Sequence, residues 1–222
     1  MRSAFITGTS KGLGKSIANH LLNKNWRVIG MSRSDGDIYH ENYMHIKGDV
    51  SSYASVESCF DSVKPEQIDL LVNNSAIFEY KSFDDTDMSI INHMIDVNLK
   101  GPIYVTKCAM SVLKENSRII FINSVAGLEQ IENQSIYCAT KHGLTGFAGV
   151  LGKELQEKKI KVTSIHPGGI NTPLWNNLEF HEDTTKLLDP DQIAKLVEFI
   201  CDSQKNVEYK TIKMFPDIEW HQ

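Results

Sequence analysis

Short apolar runs that alternate with stretches of helical periodicity constrain this sequence more than any other feature. The runs occupy residues 4–7, 27–31, 43–46, 68–73, 118–123, 161–166 and 211–215, each bounded by turn residues. Most lack polar–apolar alternation, the pattern of strands buried on both faces of a parallel sheet. Between them, residues 15–23, 52–63, 87–97, 103–114, 135–158 and 190–203 carry apolar side chains at helical spacing. Strands that alternate with helices join through right-handed crossovers. The expected fold is therefore α/β: a doubly wound, Rossmann-like parallel sheet of about seven strands in a single domain over 1–222. Residues 32–42 read as a polar surface loop. Residues 168–189 scatter Leu174, Trp175, Leu178 and Phe180 among polar neighbours, and a connection of that length reads as a functional flap.

Composition removes several function classes. The chain of 222 residues, 41% apolar, is long enough for a sizeable core and too apolar for disorder. Its 28 acidic residues outnumber 23 basic ones, and its arginines are only Arg2, Arg27, Arg33 and Arg118. Neither nucleic acid nor an anionic membrane is an expected partner. No window approaches the roughly 20 apolar residues of a bilayer span, and the N-terminus turns glycine-rich too early for a signal peptide. Cys59, Cys108, Cys138 and Cys201 are scattered, without CxxC or metal-ligand spacing. They read as reduced thiols in the cytoplasm, with no metal site.

The first apolar run opens directly into TGTSKGLG, with Gly8, Gly12 and Gly14 ahead of a helical pattern. Glycines there permit a tight turn and let backbone N–H groups approach a pyrophosphate at the helix N-terminus. Glycine spacing alone also fits a plain tight turn. An acid at the end of the second strand would bind the ribose hydroxyls of NAD(H), whereas a cation accommodates the 2′-phosphate of NADP(H). Here Ser32 stands where the acid would fall, Arg33 follows, and Lys11 lies within the glycine turn. NADP(H) is the expected cofactor; Asp35 and Asp37, close behind, keep NAD(H) open.

Tyr137 and Lys141 are four apart in a helical pattern, hence one turn apart on one face. A neighbouring ammonium favours a phenolate and so suits a tyrosine for acid–base work. Ser124 ends the fifth strand, at the sheet edge where ligands of doubly wound folds bind. Asn98, by itself, reads as a helix terminator, a kink former or a water ligand.

TGTSKGLG, Asp49-Val50, NNSA at 73–76, Asn98, Ser124, YCATK at 137–141 and Pro167-Gly168 occur in this order along nearly the whole chain. Together they resemble the short-chain dehydrogenase/reductase family in its compact single-domain form. The resemblance implies that Tyr137 is the general acid/base, and that Lys141 lowers its pKa and binds the nicotinamide ribose. It implies that Ser124 polarises a substrate carbonyl and that Asn98 holds a water in a proton relay. It further implies cofactor contacts from Gly8, Ser10, Lys11, Gly12, Leu13 and Gly14, and from Ser32, Arg33, Asp49 and Val50. Asn74, Ala76, Pro167, Gly168, Ile170 and Thr172 complete that implied set. NNSA departs from the family's NNAG, placing Ala76 where a glycine is usual, and the ending KTIKMFPDIEWH departs from a glycine-rich one.

The implied reaction is hydride transfer between nicotinamide and a carbonyl or alcohol carbon, with reduction the expected direction. Phe78, Val125, Leu128, Leu174 and Trp175 are expected to line an apolar substrate pocket, although each also fits a packing role. A 3-oxoacyl carrier-protein reductase and a non-catalytic dinucleotide-binding redox sensor are the alternatives. An epimerase or dehydratase on the same scaffold is a further one. His166 reads as strand-end packing. Small residues at 109, 143, 146, 148, 149 and 152, taken with the resemblance, imply a homodimer or homotetramer built through two helices.

Overall fold

The computed structural model describes residues 1–63, 67–175 and 184–217. Its seven strands form one parallel sheet: β1 (Ser3–Thr7), β2 (Arg27–Ser32), β3 (Tyr43–Lys47), β4 (Ile68–Asn73), β5 (Leu113–Ile122), β6 (Lys161–Pro167) and β7 (Thr211–Met214). Their spatial order is β3-β2-β1-β4-β5-β6-β7. The chain winds outward from β1 to β3, then returns to the other side of β1, so a crevice opens between the carboxyl ends of β1 and β4. The single-domain α/β expectation holds.

Side chains along each strand alternate between two cores, as a period of two requires. Phe5, Ile29, Leu71, Ile119 and Phe121 pack in one cluster against α2 (Tyr53–Val63), α4 (Gly101–Ala109) and α5 (Ser135–Glu154). Ala4, Ile6, Val28, Leu70, Val72, Ile120 and Ile122 pack in the other against α1 (Gly12–Asn23) and α6 (Pro190–Asp202). Both faces of the sheet are thus covered, which explains the absence of polar alternation in its strands.

Three boundaries differ from the sequence expectation. The helical stretch starting at 87 does not stop at 97: α3 (Met88–Ile95) runs through a π-helical segment, Asp96–Lys100, straight into α4. The expected helix over 103–114 ends at Ala109, and Leu113 and Lys114 already belong to β5. There the pairing slips from Ile68–Leu113 to Leu70–Arg118, with Asn116 in the left-handed region at φ 68°. An irregular strand start of this kind leaves no apolar pattern to read. Finally, α5 closes at Glu154 rather than 158, and Lys159 at φ 53° turns the chain into β6.

The flap is anchored at its base. Ile170 and Leu188 form a parallel bridge, flanked by hydrogen bonds from Asn171 N–H to the Leu188 carbonyl and from Leu188 N–H to the Gly169 carbonyl, both 2.9 Å. Leu178 and Phe180 lie outside the described residues. Among those residues, no helix is long and apolar enough to cross a membrane.

Candidate active site

All three glycines of the turn after β1 are required, for two different reasons. Gly8 and Gly12 have φ of 77° and 58°, where a side chain is strained. A Cβ on Gly14 would lie 2.2 Å from the Gly8 carbonyl oxygen and 2.5 Å from Asn74 Nδ2, so this glycine lets α1 seat against the turn. Gly14 accordingly packs and does not line the cavity, unlike Gly8, Ser10, Lys11, Gly12 and Leu13. The first turn of α1 has neither a side-chain cap nor an acidic residue, so its backbone donors face the crevice uncapped. That arrangement suits a pyrophosphate.

Asn74 ties the turn to β4. It donates through Nδ2 to the Thr7 carbonyl at 2.8 Å, while its own N–H and that of Ser75 donate to Thr7 Oγ1. Ala76 is absent from the residues at positive φ, so the alanine in NNSA is accommodated without strain. Across the crevice, Thr172 and Pro173 of the flap approach Gly12, with Thr172 Cβ 3.4 Å from where a Cβ on Gly12 would stand.

One cavity of about 680 Å³ runs from this turn to the catalytic candidates. At its far end, Ser32, Arg33 and Ser34 line it together with Asp49 and Val50. Ser32 is buried and its hydroxyl is committed, donating to the Ser34 carbonyl at 2.9 Å and meeting His45 Nε2 at 2.7 Å. Asp37 pairs with Lys15 at 2.7 Å, and Asp35 faces His45 Nδ1 at 3.7 Å. Among the described residues, neither Arg33 nor Lys11 forms an ion pair. Burial works against the charged form of Asp49. Hydrogen bonds from Ser51 and the proximity of Arg33 and His93 outweigh that, leaving its carboxyl below the usual range.

At the other end, α5 brings Tyr137 and Lys141 together, both buried. Lys141 Nζ lies 5.5 Å from the Tyr137 ring centroid and donates to the Ile122 carbonyl at 3.2 Å. Burial pushes the Tyr137 phenol up to about 12, opposed by a hydrogen bond with the Ser124 hydroxyl. Burial also pushes Lys141 down to about 8. Lys141 is not among the groups that shift the phenol in this structure, where burial dominates.

Ser124 caps the short 3₁₀ turn Val125–Gly127, its hydroxyl accepting from Ala126 N–H at 3.2 Å. The fully buried His166 supports it from behind, with Nδ1 2.9 Å from the Ser124 carbonyl oxygen. Asn123 locks this strand end to α5 through its Nδ2, which donates to Thr145 Oγ1 at 2.9 Å and to the Lys141 carbonyl at 3.2 Å. Asn98 sits inside the π-helical segment. Its Oδ1 accepts the Ile77 N–H at 2.9 Å and its Nδ2 donates to the Ile77 carbonyl at 2.8 Å. The Asn98 amide thereby clamps the Ile77 backbone to the kink, and its Oδ1 and Nδ2 each keep one further hydrogen-bonding position.

Pro167, Gly168, Ile170 and Thr172 line the cavity as expected, as do Asn74 and Ala76. Phe78, Val125, Leu174 and Trp175 do so too; Leu128 is not among the lining residues. Phe78 stands edge-on to Tyr137 at 4.7 Å between centroids and to Trp175 at 5.5 Å. Sequence reasoning missed Ile90 and Met94, whose i, i+4 spacing on α3 was the available signal, as well as Ile131, Glu129 and Phe215. For Asn123 and the Ile77 clamp no local signal exists.

A glycine-cradled helix N-terminus at a topological switch point, joined by one cavity to a serine, tyrosine and lysine, defines a dinucleotide-binding oxidoreductase fold. A family profile described as short chain dehydrogenase matches residues 2–183, and the chain belongs to that family. An uncharacterized oxidoreductase of Staphylococcus saprophyticus is 29% identical, covering 96% of this chain and 96% of its own length. A Salmonella typhimurium protein named 3-oxoacyl-[acyl-carrier-protein] reductase FabG is 31% identical over 87% of this chain and 80% of its own. A short chain dehydrogenase family protein from Francisella tularensis superposes with a TM-score of 0.88 at 26% identity, covering 97% of each chain. ElxO, solved with NADP bound, gives 0.86 at 25% identity over 96% of this chain and 97% of its own. A 3-ketoacyl-(acyl-carrier-protein) reductase from Brucella melitensis complexed with NADH gives 0.87 at 24% over 96% of each.

Proposed function

We propose that this oxidoreductase is an NADP(H)-dependent carbonyl reductase for a small apolar substrate. The observation that carries the reading is the layout of the cavity described above. Arg33 and Lys11 face one end with Asp35 and Asp37 turned to other partners, and Ser124, Tyr137 and Lys141 meet at the other. The glycine turn and the uncapped N-terminus of α1 would hold the pyrophosphate, and Arg33 and Lys11 the 2′-phosphate. When bound, the nicotinamide supplies the hydride that the carbonyl carbon accepts. Tyr137 gives its phenolic proton to the carbonyl oxygen, Ser124 donates a hydrogen bond to that oxygen, and solvent restores the proton. Lys141, held at about 8, can lose and regain a proton near neutral pH beside that phenol.

Phe78, Ile90, Met94, Ile131 and Trp175 give the substrate end an apolar surface, while the charged residues that line it there include Glu79 and Glu129. This favours an uncharged carbonyl compound over an acyl group on an acidic carrier. The reading extends to a homodimer or homotetramer through α4 and α5, and to a reducing, cytoplasmic setting suited to four unpaired cysteines.

The test is a panel of aldehydes and ketones, with a 3-oxoacyl thioester among them, incubated with NADPH and followed by nicotinamide absorbance. Oxidation of NADPH on neutral carbonyls supports the reading. Turnover confined to the thioester would replace it with the 3-oxoacyl reductase, and tight cofactor binding without turnover on any member would favour a redox sensor.

A further inference from the structure

Asp35 lies two residues beyond Arg33, its side chain 84% exposed. A carboxylate near the end of the second strand accepts hydrogen bonds from ribose hydroxyls and repels a 2′-phosphate. His45 stands between Asp35 and that role. Its ring lies on β3, in register with Gly30 of β2, and is part-buried. Nε2 is 2.7 Å from Ser32 Oγ, and Nδ1 is 3.7 Å from Asp35 Oδ1. The Ser32 hydroxyl reaches both the Ser34 carbonyl at 2.9 Å and His45 Nε2, and when it gives its proton to Nε2 the ring carries its own proton on Nδ1, toward the Asp35 carboxylate.

Neither His45 nor Asp35 lines the cavity, whereas Ser32, Arg33 and Ser34 do. We infer that His45 is a specificity-determining positioning residue: it ties the Asp35 carboxylate to the edge of the sheet. The adenosine end therefore stays electropositive and favours a dinucleotide that carries a 2′-phosphate. The inference rests on the NADP(H) reading above and names the residue that secures it. Without His45 the exposed carboxylate is free to swing toward the ribose, where it attracts the hydroxyls of NADH and repels NADPH.

The test needs no substrate. NADPH and NADH are titrated by nicotinamide fluorescence into the full chain as wild type, His45→Leu, His45→Gln, Asp35→Asn and the His45→Leu/Asp35→Asn pair. His45→Leu should cut the NADPH-over-NADH preference roughly tenfold, the size of one solvent-screened charge contact. In the Asp35→Asn background the same change should shift it by less than about twofold, because no carboxylate remains to be released. His45→Gln, which retains a donor for one of the two partners, should fall between and serves as the milder variant. Equal losses for both cofactors, or an equal shift with and without Asp35, would overturn the inference. A wild type that prefers NADH would overturn the NADP(H) reading alone, since His45 is judged by the shift between variants and not by the starting preference.

Discussion

Lys141 is the residue at which stability and chemistry conflict most plainly. Its ammonium is buried on α5, and burial lowers its pKa from 10.5 to about 8. Between those values the unfolded chain binds more protons than the folded one, so stability rises with pH through that window and the penalty is complete below it. Lys141→Met removes the penalty but also the hydrogen bond to the Ile122 carbonyl. Thermal and denaturant melts at pH 7 should show a net gain of about 2 kcal/mol that shrinks as pH climbs toward 10.5, alongside lost turnover. A variant less stable than wild type at pH 7 would contradict this. Tyr137→Phe should lower kcat by roughly 10³-fold while leaving NADPH affinity nearly unchanged, because only the phenolic hydroxyl that supplies the proton is removed. Arg33→Ala should weaken NADPH far more than NADH in a binding titration, since a 2′-phosphate is what distinguishes them.

Among the elements, the continuous α3–π–α4 rod matters most for the site. The π-helical segment turns Asn98 toward the loop after β4, where both polar atoms of its amide close on Ile77. Asn98→Ala leaves one part-buried backbone donor and one acceptor beside the cavity without their protein partner, which costs about 1 to 2 kcal/mol. Hydrogen exchange should show the Ile77 amide losing protection before the strands do. Unchanged protection there would mean that the kink forms without the clamp. The glycine turn and the β2–β3 edge were partly legible beforehand, because positive φ and close approach restrict which residues a turn can use. The extent of β5 was not, since its irregular start around Asn116 pairs through a bulge that carries no periodic signal.

For the whole molecule, the outward face of α5 is the informative surface. A Cβ added at Gly146 or Gly149 would meet nothing within 4 Å, and Val150 beside them is 55% exposed. Glycine within a helix is destabilising by about 1 kcal/mol relative to alanine, and nothing among the described residues offsets that here. Close approach of a second copy would. On the proposed oligomer through α4 and α5, Gly149→Arg should lower the mass toward that of a monomer in light scattering while its far-ultraviolet circular dichroism stays that of wild type. An unchanged mass would move the interface elsewhere.

Local rules carried much of this protein. Periodicity marked the strands and most helices, φ restrictions demanded Gly8 and Gly12, and helical spacing paired Tyr137 with Lys141. Each of these depends on residues within a turn or two of one another, which is why it can be read along the chain. Other features depend on groups from separate elements meeting only in the folded chain: Asn98 with the Ile77 backbone, Asn123 with Thr145, His45 between Ser32 and Asp35, and Phe78 between Tyr137 and Trp175. Desolvation belongs to the same group. The Tyr137 phenol rises instead of falling because packing removes it from water, and the depth of that packing is a property of the assembled fold.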